Sequence, residues 1–306
     1  MKVLITGAYG FLGRYAAREF KLQGCHVIGI GHGRWYQEEF IKWGIDEWIE
    51  STITFEALIN SNHIFDVIVH CGGSGSVGFS KINPFEDFQK SVQSTLAILE
   101  YIRLRCPGCK LIYPSSVSVQ GNLPDMPIKE DVIADPISPY GFHKKIAEEL
   151  CKSYTINYGL KVGVIRFFSI YGEGLQKQLL YDACKKIFFS AKEKEVIFFG
   201  TGKETRDWIY VTDAASLIYK MAVKVDNFDI INGGTAIRVE IAEILEMVKK
   251  EYGSSVQIKF DGSVREGDPI YFWSDMSKAK NYDWKPRISL SEGIKMYVRY
   301  FKQLYK

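Results

Sequence analysis

The chain has 306 residues and a formal net charge of +3, with 46% hydrophobic and 25% charged residues. This composition is ordinary for a globular protein and argues against a largely disordered chain. The Lys and Arg residues are spread along the sequence, which argues against nucleic acid as a partner. No apolar run approaches the length of a membrane span, and the N-terminal one is too short for a signal peptide. We therefore expect a cytoplasmic protein without membrane contact.

The first two-thirds of the sequence alternate short apolar strands with helices. Strands are predicted at Lys2–Thr6, His26–Ile30, Val67–Cys71, Lys110–Ser115 and Lys161–Phe168, and helices at Gly13–Gln23, Thr54–Asn60, Phe85–Arg105 and Tyr140–Tyr158. Continuous apolar strands separated by helices predict an α/β fold whose parallel sheet is covered on both faces. Right-handed crossovers make it a doubly wound, Rossmann-type sheet with ligands at the carboxyl ends of its strands.

After about residue 170 the pattern changes to mixed helices, short strands and loops. We predict a dinucleotide-binding domain over residues 1–170, to which a later segment, about 205–235, returns. Residues 171–306 are predicted to form mainly a smaller C-terminal substrate-binding lobe. The last segment, Leu290–Tyr305, has apolar residues at helical spacing, which indicates packing against the rest of the protein.

A glycine-rich loop lies directly between the first predicted strand and the first helix. It contains Gly7, Gly10 and Gly13. Glycines at these positions permit the tight turn and let the backbone approach a pyrophosphate at the helix N-terminus, so the loop predicts dinucleotide binding. The second strand ends without the usual ribose-binding carboxylate, and Arg34 follows. We expect the cofactor to be NAD or NADP. The Arg34 guanidinium favours NADP, because it can form bidentate hydrogen bonds with a 2′-phosphate. The alternative is that Arg34 is a solvated surface residue.

Two of the six cysteines form the sequence Cys106-Pro-Gly-Cys109, and the five histidines are scattered. A redox pair needs its first thiol at a helix N-terminus, whereas this pair lies between a predicted helix and a strand. A second pair that would complete a tetrahedral site is absent from the sequence. We therefore interpret the pair as a turn and predict no metal site.

Tyr140 and Lys144 lie four residues apart in a predicted helix and therefore on the same face of it. An ammonium beside a phenol lowers the pKa of the phenol, and a phenolate is a competent base for a sugar hydroxyl. Such a pair is common on ordinary helix surfaces. Ser116, at the carboxyl end of a predicted strand, supports a catalytic interpretation because its hydroxyl can hydrogen-bond the reacting oxygen.

On these residues the sequence resembles the extended short-chain dehydrogenase/reductase family, and within it the nucleotide-sugar epimerases and dehydratases. The resemblance runs nearly end to end through Thr6–Gly13, Val69–Gly73, Ser116, Tyr140 with Lys144, and Arg166–Gly172. It implies that Ser116, Tyr140 and Lys144 are catalytic. Beside Arg34, which is inferred from the residues themselves, it implies cofactor binding by Gly7, Gly10, Phe11, Leu12, Gly13, Cys71, Gly72, Gly73, Tyr140, Lys144 and Phe167.

Two later segments resemble the family's substrate-binding motifs. Gly200–Trp208 is similar to the segment whose arginine contacts substrate phosphates, and Arg265–Asp268 is similar to a phosphate- and ribose-binding stretch of UDP-galactose 4-epimerases. The alternative for Arg206 is a local salt bridge with Asp207. The resemblance implies that substrate contacts come from Ser76, Ser116, Ser118, Ser169, Arg206, Arg265 and Asp268, although the family usually has asparagine in place of Ser169.

Departures from the family pattern argue against one of the family's activities, the 4,6-dehydratase reaction. Val117 and Ser118 stand where dehydratases of the family carry an Asp-Glu pair, so we do not expect a 4,6-dehydratase. The resemblance implies a nucleotide-sugar epimerase that acts through a 4-keto intermediate, with Tyr140 as acid and base. An NADPH-dependent 4-keto-sugar-nucleotide reductase is the alternative, because it needs the same residues. A non-catalytic dinucleotide-binding sensor or scaffold is the alternative of another class.

The resemblance also implies a homodimer. Members of the family commonly dimerise through the helices that correspond to Phe85–Arg105 and Tyr140–Tyr158. The apolar residues Leu96, Ile98, Leu99 and Ile102 are compatible with such an interface, but they can equally face the sheet.

Overall fold

The computed structural model describes residues 1–190, 194–263 and 269–305. Their strands are β1 (Lys2–Thr6), β2 (His26–Gly31), β3 (Glu47–Glu50), β4 (Val67–His70), β5 (Lys110–Ser116), β6 (Lys161–Phe167), β7 (Ser169–Tyr171), β8 (Glu195–Phe198), β9 (Thr205–Arg206), β10 (Trp208–Tyr210), β11 (Asp229–Gly233), β12 (Val239–Glu240), β13 (Gln257–Phe260) and β14 (Tyr271–Phe272). Their helices are α1 (Phe11–Leu22), α2 (Gln37–Phe40), α3 (Phe55–Asn60), α4 (Val77–Ile82), α5 (Pro84–Phe88), α6 (Ser94–Arg105), α7 (Pro139–Tyr158), α8 (Gln178–Phe189), α9 (Val211–Lys224), α10 (Ile241–Tyr252) and α11 (Leu290–Leu304).

Within these residues, seven strands form one sheet in the order β11-β6-β5-β4-β1-β2-β3. Every neighbouring pair is parallel. From β1 the chain first proceeds to β2 and β3 on one side and then to β4, β5 and β6 on the other. The strand order therefore reverses between β1 and β4, which is where an open α/β sheet binds its ligand. The predicted fold class, a Rossmann-type doubly wound sheet, is confirmed.

Helices cover both faces of this sheet, which explains why its strands are apolar throughout. One face packs against α1 and α9, through residues such as Phe20 and Leu217. The other face packs against α6 and α7, through Leu99 and Ala147. Both layers cover the faces of the sheet, so the carboxyl edge of the sheet is the part left open for a ligand.

The smaller part of the molecule has its own apolar core. Helices α8, α10 and α11 contribute Ile187, Leu245 and Phe301 to it, and β8 pairs with β13 beside them. Short strands form two further small sheets among the described residues, in which β7 pairs with β10 and β9 pairs with both β12 and β14. Among the described residues, no helix is both long enough and apolar enough to cross a membrane.

The strands predicted from the sequence are all present, and each ends within one residue of its predicted boundary. The predicted helix Phe85–Arg105 is instead divided into α5 and α6 by a π-helical turn at Gln89–Gln93. The hydroxyl of Ser94 donates to the carbonyl oxygen of Lys90 at 2.6 Å. Such side-chain bonds to the preceding turn compete with the regular helical ladder, and apolar spacing alone does not reveal them.

Candidate active site

The glycine loop forms a cradle that only glycine can form. Gly7 has a φ of +64°, and a Cβ added to it would lie 2.7 Å from the backbone nitrogen of Gly72, in the loop after β4. A Cβ on Gly13 would lie 2.3 Å from the carbonyl oxygen of Gly7. The loops after β1 and β4 thus touch at the switch point, beside the N-terminus of α1. The cradle fits a dinucleotide pyrophosphate, because the backbone amides there are not screened by side chains.

A buried hydrogen-bond chain holds the Gly72 loop in place. The backbone nitrogen of Gly72 donates to Thr6 Oγ1 at 3.1 Å, Thr6 Oγ1 lies 2.7 Å from His70 Nδ1, and His70 Nε2 lies 3.0 Å from Ser94 Oγ. Because the Ser94 hydroxyl donates to a backbone carbonyl, the consistent arrangement is a neutral His70 protonated on Nε2. Burial lowers the pKa of His70 to about 3, with a further contribution from the Lys144 ammonium.

The structure brings Ser116, Ser118, Tyr140 and Lys144 together at the carboxyl end of β5. Helix α7 begins after Ser138, whose hydroxyl accepts a hydrogen bond from the Gly141 nitrogen at 3.2 Å. This cap places Tyr140 in the first turn, where its side chain hydrogen-bonds with Ser116. Ser116 Oγ also lies 3.1 Å from Ser118 Oγ. Three hydroxyls therefore converge where a substrate hydroxyl can join them.

The electrostatics around Tyr140 differ from the sequence prediction. Burial raises the pKa of Tyr140 to about 12, and the hydrogen bond with Ser116 only partly opposes this. Lys144 Nζ lies 6.0 Å from the Tyr140 ring centroid and donates to the carbonyl oxygen of Pro114 at 2.9 Å. Burial lowers the pKa of Lys144 to about 8. The pKa of Tyr140 in the protein alone is thus raised, whereas the sequence analysis expected Lys144 to lower it, because burial is the largest influence on this phenol.

A buried ion pair lies directly behind these residues. Arg166 on β6 binds both carboxylate oxygens of Glu148, one turn beyond Lys144 on α7, with the shortest contact at 2.7 Å. Ser115, adjacent to Ser116, donates to the same carboxylate at 2.6 Å. The pair thereby fixes α7 to the ends of β5 and β6 and sets the position of Tyr140 relative to Ser116.

The other predicted substrate residues are more dispersed. Ser76 caps α4, since its hydroxyl accepts from the Phe79 nitrogen at 3.2 Å, and Ser169 begins β7 at the edge of the small lobe. Arg206 Nη1 donates to the Thr205 carbonyl at 2.8 Å, and its guanidinium lies 5.7 Å from the Phe272 ring centroid. Arg265 and Asp268 lie outside the described residues.

Asp207, which follows Arg206, accepts hydrogen bonds from residues distant in sequence. It is fully buried and accepts hydrogen bonds from Thr235 nitrogen and hydroxyl at 2.8 and 2.6 Å, from Ala236 nitrogen at 3.0 Å, and from the Ser274 nitrogen and hydroxyl. Asp207 therefore joins three segments that are distant in sequence at the base of the small lobe.

The predicted cofactor residue Arg34 lies in the exposed loop after β2, with its guanidinium 5.1 Å from the Tyr36 ring centroid. Sequence reasoning missed Trp48, whose indole covers the end of β2. The signal was present as two alternate glycines, Gly29 and Gly31, because glycine within a strand often marks a close approach by another group. It also missed Lys177, whose Nζ would lie 3.8 Å from a Cβ on Gly75, in the loop after β4.

The chain matches the model of the NAD dependent epimerase/dehydratase family over residues 3–234. A putative UDP-glucose 4-epimerase from Methanocaldococcus jannaschii is 30% identical, and the match covers 98% of each chain. The fold is similar to the crystal structure of UDP-glucose 4-epimerase from Thermotoga maritima with UDP-glucose, with a TM-score of 0.89 and 27% identity over the whole of both chains. It is equally similar to a UDP-glucuronic acid 4-epimerase mutant from Bacillus cereus in complex with UDP-4-deoxy-4-fluoro-glucuronic acid and NAD, with a TM-score of 0.89 and 28% identity over both full chains.

Proposed function

Because the chain belongs to the NAD dependent epimerase/dehydratase family, we propose that it is a nucleotide-sugar 4-epimerase that works through a 4-keto intermediate. The observation that carries this proposal is the convergence of Ser116, Tyr140 and Lys144 at the open edge of the sheet, next to the glycine cradle. The names of the similar proteins, which include UDP-glucose and UDP-glucuronic acid 4-epimerases, favour a UDP-linked sugar as the substrate.

The residues of the cradle fit a nicotinamide dinucleotide. Gly7, Gly10 and Gly13 leave room for the pyrophosphate, and the Cys71–Gly73 loop with Phe167 borders the same edge. The cofactor, when bound, supplies a hydride acceptor and donor at carbon 4 of the sugar. The family and the NAD-bound neighbours support a nicotinamide dinucleotide in general, and the end of β2 favours NADP as the form that this chain binds.

The protein's own groups perform the proton transfer and the positioning. Ser116 holds the 4-hydroxyl oxygen, and Tyr140 accepts its proton during oxidation and returns it during reduction. The raised pKa of Tyr140 means that its neutral phenol predominates at neutral pH in the protein alone. Its base form therefore requires positive charge close to the phenol, and Lys144 is the buried cation placed to contribute it.

The substrate's remaining groups are proposed to bind between the two parts of the molecule. Ser118 shares the hydroxyl cluster of Ser116, while Ser76 and Ser169 lie on the neighbouring loops. Arg206, and with it Arg265 and Asp268, is proposed to bind the diphosphate and the nucleoside ribose, because a guanidinium matches phosphate bidentately and a carboxylate matches a diol.

The decisive experiment follows interconversion of carbon-4 epimers, with UDP-glucose and UDP-glucuronate as first substrates, by chromatography without added reductant. Tyr140→Phe is expected to lower turnover about 100- to 10,000-fold, because the acid–base group is lost while the ring is retained. Tyr158→Phe, at the exposed end of the same helix, is the matched control and should turn over normally. Wild-type turnover by Tyr140→Phe would refute the assignment of the base.

A 4-keto-sugar-nucleotide reductase is the second candidate, and the absence of a carboxylate at Gly31 is the observation that favours it. Denaturing the purified protein and identifying the released dinucleotide by mass spectrometry separates the two candidates. A retained, near-stoichiometric dinucleotide that is not consumed supports the epimerase. An empty site, together with net consumption of NADPH on a 4-keto sugar nucleotide, supports the reductase.

We also propose that two copies of the chain associate through α5 and α7. Ile98, Leu99 and Ile102 are buried against the sheet, so they are not available for such an interface, whereas Leu96 is partly exposed. The exposed apolar side chains on these helices are Phe85 (74%), Phe88 (39%), Phe142 (50%) and Ile146 (40%). Light scattering should report a dimer for the wild type and a monomer for Phe142→Asp, and an unchanged mass for this variant would contradict the assignment.

A further inference from the structure

The outer strands of the sheet contain an unusual contact between glycine and tryptophan. Gly29 and Gly31 occupy alternate positions of β2 and therefore share a face. A Cβ on Gly29 would lie 3.0 Å from Trp48 Cε3, and one on Gly31 would lie 3.0 Å from Trp48 Cη2. The benzene edge of the indole thus runs along β2 and fills the column where two side chains would otherwise stand.

Gly31 lies where a dinucleotide-binding domain usually places the carboxylate that binds the adenosine ribose. It ends β2, and a Cβ there would lie 3.6 Å from the Cα of Gly7, the first glycine of the cradle. A Cβ at Gly31 would also lie 3.0 Å from Trp48 Cη2, which is closer than an ordinary contact, so an aspartate there would require the ring to shift. Trp48 on the neighbouring strand therefore crowds the position from which such a carboxylate would extend.

Two aromatic rings pack against Trp48 and limit its movement. Its ring centroid lies 5.3 Å from that of Trp35 and 6.5 Å from that of Tyr9 in the glycine loop. Arg14 lies within 5.9 Å of the ring centroids of both Tyr9 and Trp35 and donates to the Tyr9 carbonyl. The cluster thus forms one packed unit with the cofactor loop.

The indole nitrogen of Trp48 is a further feature of this contact. This nitrogen, Nε1, is buried and has no hydrogen-bond partner among the described residues. A buried, unpaired donor costs about 1–3 kcal/mol, whereas a phenylalanine would fill much of the same space without that cost.

A cation is available close to the crowded carboxylate position. Arg34 follows Gly31 by three residues, is exposed, and makes no ion pair or hydrogen bond within the part of the chain that the structure describes. By contrast, Arg14 donates to the carbonyls of Tyr9 and Gly10. Removal of the carboxylate also removes its repulsion of a phosphate, so Arg34 and Gly31 together suit a 2′-phosphate.

We propose that Trp48 is a specificity-determining residue, which excludes the ribose-binding carboxylate and commits the adenosine end to a 2′-phosphorylated dinucleotide bound by Arg34. The inference rests on the dinucleotide binding in the proposed function but not on the sugar chemistry. It predicts that Gly31 and Trp48 act as a coupled pair, so that neither can be changed alone to recover NAD binding.

The test measures dissociation constants of NADP⁺ and NAD⁺ by titration calorimetry, on protein freed of any retained dinucleotide. The wild type should bind NADP⁺ at least tenfold more tightly than NAD⁺. Gly31→Asp should weaken both, whereas the double variant Gly31→Asp/Trp48→Val should reverse the preference. Arg34→Gln should weaken NADP⁺ about tenfold and leave NAD⁺ unchanged, and Arg18→Gln, an exposed arginine on α1, is its control.

Three results would overturn the inference. The first is a wild-type preference for NAD⁺, and the second is a gain of NAD⁺ affinity by Gly31→Asp alone. The third is a loss of dinucleotide binding in Glu50→Gln. Glu50 pairs with Gly31 in the strand register, so this loss would show that the Glu50 carboxylate binds the ribose in place of a carboxylate at Gly31. If a Gly31 variant fails to fold, the comparison of Arg34→Gln with Arg18→Gln still tests the inference. Binding with no epimerase turnover would refute the proposed function and leave this inference intact.

Discussion

Two buried carboxylates, one in each part of the molecule, are stabilised in opposite ways. Glu148 in α7 is 4% exposed and is neutralised by Arg166. Asp207, at the base of the small lobe, is 0% exposed, and its described hydrogen bonds all come from neutral donors in the segments around Thr235 and Ser274. Burial raises the pKa of Asp207. Helix α7 is thus fixed by a charge pair, and the small lobe by a set of directed hydrogen bonds.

The largest effect should come from breaking the charge pair. Arg166→Met leaves the Glu148 carboxylate buried without its cation, which costs about 3–5 kcal/mol of unfolding free energy. Urea denaturation at neutral pH measures it. Arg103→Met is the control, because Arg103 pairs with Glu100 on the exposed side of α6; equal losses in the two variants would show that the Arg166 pair has no special importance.

The hydrogen-bonded carboxylate should be less costly to change. Asp207→Asn preserves the shape but turns an amide N–H toward donors, so about 2–3 kcal/mol should be lost. Because Asp207 orders the segment that follows Arg206, the KM for the nucleotide sugar should rise more than kcat falls. A fall in kcat with an unchanged KM would contradict the proposal that Asp207 orders the substrate-binding lobe.

His70 is a third buried titratable group, and unlike the two carboxylates it is buried in its neutral form. Its folded pKa of about 3 lies below the unfolded value, so unfolding takes up a proton and stability falls as pH drops below about 6.5. Between neutral pH and pH 5 this amounts to about 2 kcal/mol. His70→Asn should remove that part of the pH dependence of urea unfolding, and an identical slope in variant and wild type would refute the neutral, buried assignment.

The smallest effects should come from two helix caps, one in each part. Ser138 caps α7 and Ser289 caps α11, with hydrogen bonds of 3.2 and 3.3 Å to the backbone. Ser138→Ala and Ser289→Ala should each cost about 1 kcal/mol. Only Ser138→Ala should also lower kcat, because its helix positions Tyr140. Equal kcat in both variants would show that the α7 cap has no role in positioning.

The features that the sequence predicted are those carried by local patterns. The glycine loop, the ends of the apolar strands and the four-residue spacing of Tyr140 and Lys144 follow from neighbouring residues, because backbone geometry sets them. The contact of Trp48 with Gly31 was not predictable in this way, since register between strands decides it. The same holds for the pKa of Tyr140, which depends on burial by segments distant in sequence.

The three-segment contact at Asp207 has a consequence for the order in which the protein is made. Asp207 is synthesised long before Ser274, so the nascent chain must carry an incompletely bonded carboxylate while the last segments emerge from the ribosome. The edge strand β11 likewise joins the sheet only after β8, β9 and β10 have been synthesised. The small lobe is therefore completed last, and a C-terminal truncation before residue 274 would remove the Ser274 donors of Asp207 and leave this lobe unfinished.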